Sequence, residues 1–148
     1  MTIRPIEFED IEDGGFLEVL ENLVPTGIDI EHAKRILEEI KSNRLHKIFV
    51  AQIEQENNKK AIVGTTTLLI EPKFINKGMR VGYIEDVSVR IGYAGLGIGS
   101  KLIIYATNYA ISEGCKRILL YCSGGTRPFY EKLGYKLADD TFVMKFET

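Results

Sequence analysis

Residues 2–8 alternate apolar and polar positions, the period of a strand with one covered face. Behind Asp10, an N-cap residue type, Phe16, Leu17, Leu20 and Leu23 recur at helical spacing. Pro25 and Gly27 close that helix. Asp29 opens a second one, with Ile30, Ala33, Leu37 and Ile40 on one face and Glu31, Lys34, Arg35, Glu38 and Lys41 on the other. Residues 47–54 and 61–71 read as strands around the polar turn 55–60. Residues 72–79 form an irregular loop, and 80–90 the central strand. A third helix spans 99–113, turning Leu102, Ala106, Tyr109 and Ala110 inward, and Gly114 ends it. Residues 117–122 read as a buried strand and 126–133 as a short helix with Pro128 in its first turn. Stretches 135–138 and 141–146 close the sheet. The resulting order, β-α-α-β-β-β-α-β-α-β, is that of an α/β (α+β) domain, a mixed sheet flanked by helices. The 148 residues make one domain.

The most specific chemistry lies where the central strand meets the third helix. Glu85 and Asp86 stand on the strand, and Ala94-Gly95-Leu96-Gly97-Ile98-Gly99-Ser100 follows. Glycines let backbone N–H groups converge on one point, and a helix N-terminus adds partial positive charge there. Such a turn suits a diphosphate. It is not a dinucleotide fingerprint, because position 100 is Ser, nor a Walker loop, because Lys101 follows Ser100. Alternation puts Glu85 and Asp86 on opposite faces, so they are expected to take different roles.

The turn resembles the pyrophosphate loop of the GNAT acetyltransferase superfamily, Arg/Gln-x-x-Gly-x-Gly/Ala. Phe129-Tyr130-Glu131-Lys132-Leu133-Gly134-Tyr135 resembles its F-Y-x-K-x-G-F/Y segment. The likeness extends along nearly the whole chain to one member family, the glucosamine-6-phosphate N-acetyltransferases. It is carried by Gly15-Phe16-Leu17-Glu18-Val19-Leu20, Thr26-Gly27, Leu69-Ile70-Glu71-Pro72-Lys73-Phe74-Ile75 and Glu85-Asp86-Val87.

The resemblance implies a GNAT fold, acetyl-CoA as cosubstrate, glucosamine 6-phosphate as acceptor and an intertwined homodimer. The backbone of Ala94, Gly95, Leu96, Gly97, Ile98, Gly99 and Ser100 would grip the diphosphate. Val87, Ser88 and Val89 would hold the pantetheine arm and thioester carbonyl beside a bulged strand. Glu85 would serve the amine as base, directly or through water, and Tyr130 would protonate or stabilise the leaving thiolate. Thr26, Lys73, Asn76, Asp86, Arg117, Tyr121 and Lys145 fall on or near acceptor positions. This chain departs from the family at three points: Ala94 replaces the loop's Arg or Gln, Tyr121 an acidic residue, and Thr126 an Asn. Arg90 and Lys101 are the cations nearest the loop in sequence. Two other readings stay open on the residues: an acetyltransferase for another small amine, and a non-catalytic acyl-CoA-binding module.

Composition narrows the classes. Net charge is −2, from 19 basic and 21 acidic residues, and no basic stripe suggests nucleic acid. No apolar run has the length of a membrane span, and the N-terminus lacks a signal pattern. Cys115 and Cys122 fit no zinc spacing, so no metal is expected. Both are expected to be reduced and buried, as in a cytoplasmic protein.

Overall fold

The computed structural model describes residues 1–138 and 144–145. In chain order the elements are β1 (Thr2–Pro5), α1 (Phe8–Glu12), α2 (Phe16–Leu20), α3 (Ile30–Lys41), β2 (His46–Glu54), β3 (Lys60–Pro72), α4 (Ile75–Gly78), β4 (Arg80–Val89), α5 (Ile98–Ser112), β5 (Cys115–Leu120) and α6 (Arg127–Lys132). The sheet runs β1-β2-β3-β4-β5, antiparallel except for the parallel pair β4–β5. Short turns join the antiparallel strands of β2–β3 and β3–β4, whereas α5 supplies the crossover that a parallel pair requires. The mixed sheet with flanking helices is the architecture expected.

Each face of the sheet has its own core. On one side Ile6, Ile11, Phe16, Val19, Ala33 and Leu37 from α1–α3 and their flanks pack with Val50 and Ile62. On the other, Leu102, Ile103, Ala106 and Ala110 of α5 are fully buried, and Phe49, Leu68 and Ile84 lie under this helix. Tyr105 and Tyr109 close edge-on over Phe49, with ring centroids 5.0 and 5.2 Å away. α3 starts where expected, with the Asp29 side chain accepting the His32 N–H at 2.8 Å.

The N-terminal elements differ from the sequence expectation. The strand stops at Pro5, and the single helix expected behind Asp10 is two short helices. Glu7, not Asp10, is the cap residue: the Asp10 side chain reaches back to the Glu7 N–H at 2.8 Å. The break falls at Gly15, whose φ of 76° is in the left-handed region, and whose carbonyl accepts from Arg90 at 2.7 Å. α4 is a turn more than a helix, because Asn76 and Lys77 have positive φ. β5 ends at Leu120, two residues early. No strand forms at 135–138, and the strand expected over 141–146 lies largely outside the described residues.

Asp10 ties this N-terminal region together. It is 4% exposed, and its two oxygens take both guanidinium nitrogens of Arg4 at 2.7 and 2.8 Å. Asp10→Ala removes the charge partner of that guanidinium, which keeps Gln52 and the Pro5 carbonyl, and leaves the Glu7 N–H without its acceptor. It should cost about 1–3 kcal/mol, read as a lower urea midpoint with an unchanged slope.

Candidate active site

β4 carries the site because its two edges stop pairing at different places. Toward β3 the ladder runs to Gly64–Val89. Toward β5 it ends at Ile84–Leu120. From Glu85 onward, therefore, one edge of β4 has no strand partner among the described residues. In this same stretch β3 places one residue, Thr66, opposite two of β4, Asp86 and Val87. That is a β-bulge, with φ of 49° at Asp86.

The bulge overturns the expectation that Glu85 and Asp86 face opposite ways. The left-handed residue breaks the alternation, and both residues line one cavity of about 420 Å³. Its walls come from α1–α3 and β2–β4 and are mostly apolar, including Leu17, Leu20, Ile28, Ile48 and Leu69; Thr26 and His46 add polar groups. Burial raises the Glu85 pKa above the ordinary carboxylate value, and the Asp86 charge adds to the shift. Burial also lowers the His46 pKa, which favours a neutral imidazole in this wall.

The glycine turn lies at the end of β4. Gly95 and Gly97 have φ of 79° and 78°, and a Cβ at either would meet nothing within 4 Å. The turn is exposed. The N–H groups of Ile98, Gly99 and Ser100 open α5 and have no intrahelical acceptor. An anion can therefore approach this backbone, and the residues present fit the diphosphate of a coenzyme. Lys101 is exposed nearby. Arg90 is not a second grip. Its guanidinium donates to the carbonyls of Ile62 at 2.9 Å and Gly15 at 2.7 Å, clamping α2 to the sheet.

The second motif converges on the first. A Cβ on Gly99 would lie 3.5 Å from Phe129 Cζ and 3.8 Å from Val89 Cγ2. Phe129 thus packs on the first turn of α5 and carries Tyr130 with it. Tyr130 is half-buried, edge-on to Phe129 at 5.0 Å and to Tyr135 at 6.4 Å. Burial raises its pKa, with smaller contributions from Cys122 and Tyr135, so the phenol keeps its proton near neutrality.

Other expected residues are dispersed. Ser88 is buried and donates to the Val19 carbonyl at 2.7 Å, a structural bond. The Val89 carbonyl accepts from Asn22 at 2.8 Å, and nothing in the sequence pattern marked Asn22. Arg117 and Tyr121 line a second cavity with Tyr130 and Cys122, of about 520 Å³. Arg117 projects from β5 and is exposed. Lys73 and Asn76 lie at the β3–β4 turn and line neither cavity; Lys73 is paired with Glu71, and Asn76 contacts the Met79 sulfur at 3.2 Å. Lys145 is exposed. Cys115 is buried as expected, but Cys122 is exposed, because β5 ends before reaching it.

Comparison with known proteins matches these features. The profile of the "Acetyltransferase (GNAT) family" covers residues 16–135. A glucosamine 6-phosphate N-acetyltransferase of Arabidopsis thaliana is 35% identical over 133 residues, 89% of this chain and 87% of its own. One from Trypanosoma brucei brucei is 45% identical over 75 residues, 51% of each chain. The crystal structure of glucosamine-6-phosphate N-acetyltransferase from Arabidopsis thaliana superposes with a TM-score of 0.89 at 34% identity, covering 99% of this chain and 98% of that one.

The Glu85 environment has a measurable signature. The folded chain binds the Glu85 proton more tightly than the unfolded chain. Stability from this group is therefore full below the ordinary carboxylate pKa and is lost as pH rises through the raised one. Glu85→Gln should be more stable than the native chain near pH 7. The gap should close below about pH 4, as measured by denaturant unfolding at both pH values.

Proposed function

This chain belongs to the acetyltransferase (GNAT) family, and we infer that it transfers the acetyl group of acetyl-CoA to the amine of glucosamine 6-phosphate, giving N-acetylglucosamine 6-phosphate. The observation that carries this reading is the opening beside β4. There the strand edge has no strand partner among the described residues, the glycine turn and α5 N-terminus follow it, and Glu85 and Tyr130, both with raised pKa, line the cavities on either hand. The named relatives support the acceptor.

The roles follow from those groups. The backbone N–H groups of residues 95–100 hold the diphosphate, despite Ala94 at the head of the turn. Bound acetyl-CoA supplies the activated thioester. The free β4 edge at Val87 and Ser88 orients the acyl arm by main-chain hydrogen bonds. An amine on a sugar is less basic than an alkyl amine, so a carboxylate with a raised pKa suffices to take its proton. Glu85 serves this end, directly or through water, with Asp86 beside it. Tyr130 donates its proton toward the sulfur that leaves. Thr26, Lys73 and Arg117 supply donors for the acceptor phosphate.

Within one chain no single cavity among the described residues collects those donors: Thr26 lines the one beside Glu85, Arg117 the one beside Tyr130, and Lys73 neither, which fits a site completed by a second copy. We propose a homodimer. It is supported by Phe74 and Ile75, exposed apolar residues at the β3–β4 turn. Sedimentation at micromolar concentration should give twice the 16.7 kDa of the chain; a lone monomer would overturn the proposal.

The reaction is tested by thiol release on mixing with acetyl-CoA and either sugar. Glucosamine 6-phosphate should be preferred to glucosamine by several orders of magnitude in kcat/KM, given about 1.5–3 kcal/mol per charge-assisted phosphate bond. Arg117→Ala should shrink the preference and spare acetyl-CoA affinity. Tyr130→Phe should lower kcat about a hundredfold or more with both sugars. Equal turnover of the two sugars would remove the phosphate pocket from the reading.

A further inference from the structure

The loop between α2 and α3 holds an anion contact of its own. One oxygen of Glu21 accepts both the Thr26 N–H, at 3.0 Å, and the Thr26 hydroxyl, at 3.1 Å. Two donors converging on one anionic oxygen is the arrangement a phosphate oxygen would use. Thr26 lines the cavity that holds Glu85 and Asp86. Beside it, a Cβ on Gly27 would meet nothing within 4 Å, so there is room at the donor pair. Glu21 itself is exposed and ends α2, so its side chain can leave for water without uncovering a core. The Asn22 side chain, bound to the Val89 carbonyl, holds the loop against β4 as it does so. Lys73 repeats the pattern, because its ammonium is held by Glu71.

We propose that Glu21 is a specificity-determining residue, a resident carboxylate that competes with the acceptor's phosphate for the Thr26 donors. This rests on the function proposed above. The phosphate must displace Glu21 to bind, because two anions cannot share the donor pair without repulsion. Glu21 therefore weakens binding of phosphorylated acceptors. It leaves an unphosphorylated sugar almost untouched, since the neutral 6-hydroxyl of that sugar carries no charge for Glu21 to repel.

The test compares Glu21→Gln with the native chain. Gln keeps the side-chain length and an oxygen that accepts from Thr26, so the loop retains its shape. The KM for glucosamine 6-phosphate should fall about three- to tenfold, the worth of one modest hydrogen bond. kcat and the KM for glucosamine should not change. Inorganic phosphate, titrated calorimetrically into the free protein, should bind more tightly by a similar factor. Adding Thr26→Val should abolish the gain, which separates competition for these donors from a general charge effect. Glu18→Gln, on the same helix, should change nothing. An unchanged or higher KM for glucosamine 6-phosphate in Glu21→Gln, with the native preference intact, overturns this inference alone. So does a gain that survives Thr26→Val. Equal turnover of the two sugars by the native chain overturns the proposed function and this inference with it.

Discussion

One backbone turn, the left-handed conformation at Asp86, conditions the whole site. Without it β4 would remain flat and alternating, and its two carboxylates would point to opposite faces. With it, the strand twists locally and both residues line one cavity. The turn falls two residues past the last β4–β5 pair, where the sheet has already opened. Aspartate tolerates positive φ better than most non-glycine residues, though the conformation is still uncommon for it. The surrounding ladder holds it in place: β3 pairs on both sides of the bulge, at Thr67–Glu85 and Thr65–Ser88. Ser88 is in turn bonded to the end of α2 through Val19. The strained residue is thus fixed by a strand on one side and a helix on another.

What the chain discloses by inspection is unequal for a physical reason. The glycine turn and the Phe-Tyr segment were readable because backbone permissiveness and helix polarity are local properties. The same holds for α3 and α5, whose apolar faces and caps lie within one element. The resemblance implied a bulged strand, but the residues alone did not place the bulge: aspartate tolerates positive φ in many settings, and only the register of β3 puts it at position 86. Arg90 looked available for a phosphate and is committed to two carbonyls far away in sequence. The break in the first helix escaped for a related reason. Gly14-Gly15 could have flagged it, but its geometry is held by that distant arginine. Cys122 looked buried because an apolar run was extended past the point where β5 leaves the sheet.

In the site as proposed, the acceptor side is built differently from the donor side. The donor groups are main-chain N–H groups on a helix end, fixed by the fold and indifferent to single side-chain changes such as the one at Ala94. The acceptor groups are side chains, and several are already engaged: Thr26 with Glu21 and Lys73 with Glu71. Here substitution is felt directly. Of the departures, Tyr121 lines the cavity of Arg117 and Tyr130, whereas Thr126 bonds back to the Ser123 carbonyl.

The contact between Phe129 and Gly99 links the two halves. Glycine at position 99 acts as a thin spacer. The ring from α6 stands one methyl group off the α5 backbone, and α6 carries Tyr130 next to that ring. An alanine Cβ would just fit, in ordinary contact with the ring at 3.5 Å, whereas any longer side chain would act as a shim, pushing α6 outward. The separation between grip and proton donor would then be ruled by the volume of a residue that performs neither task.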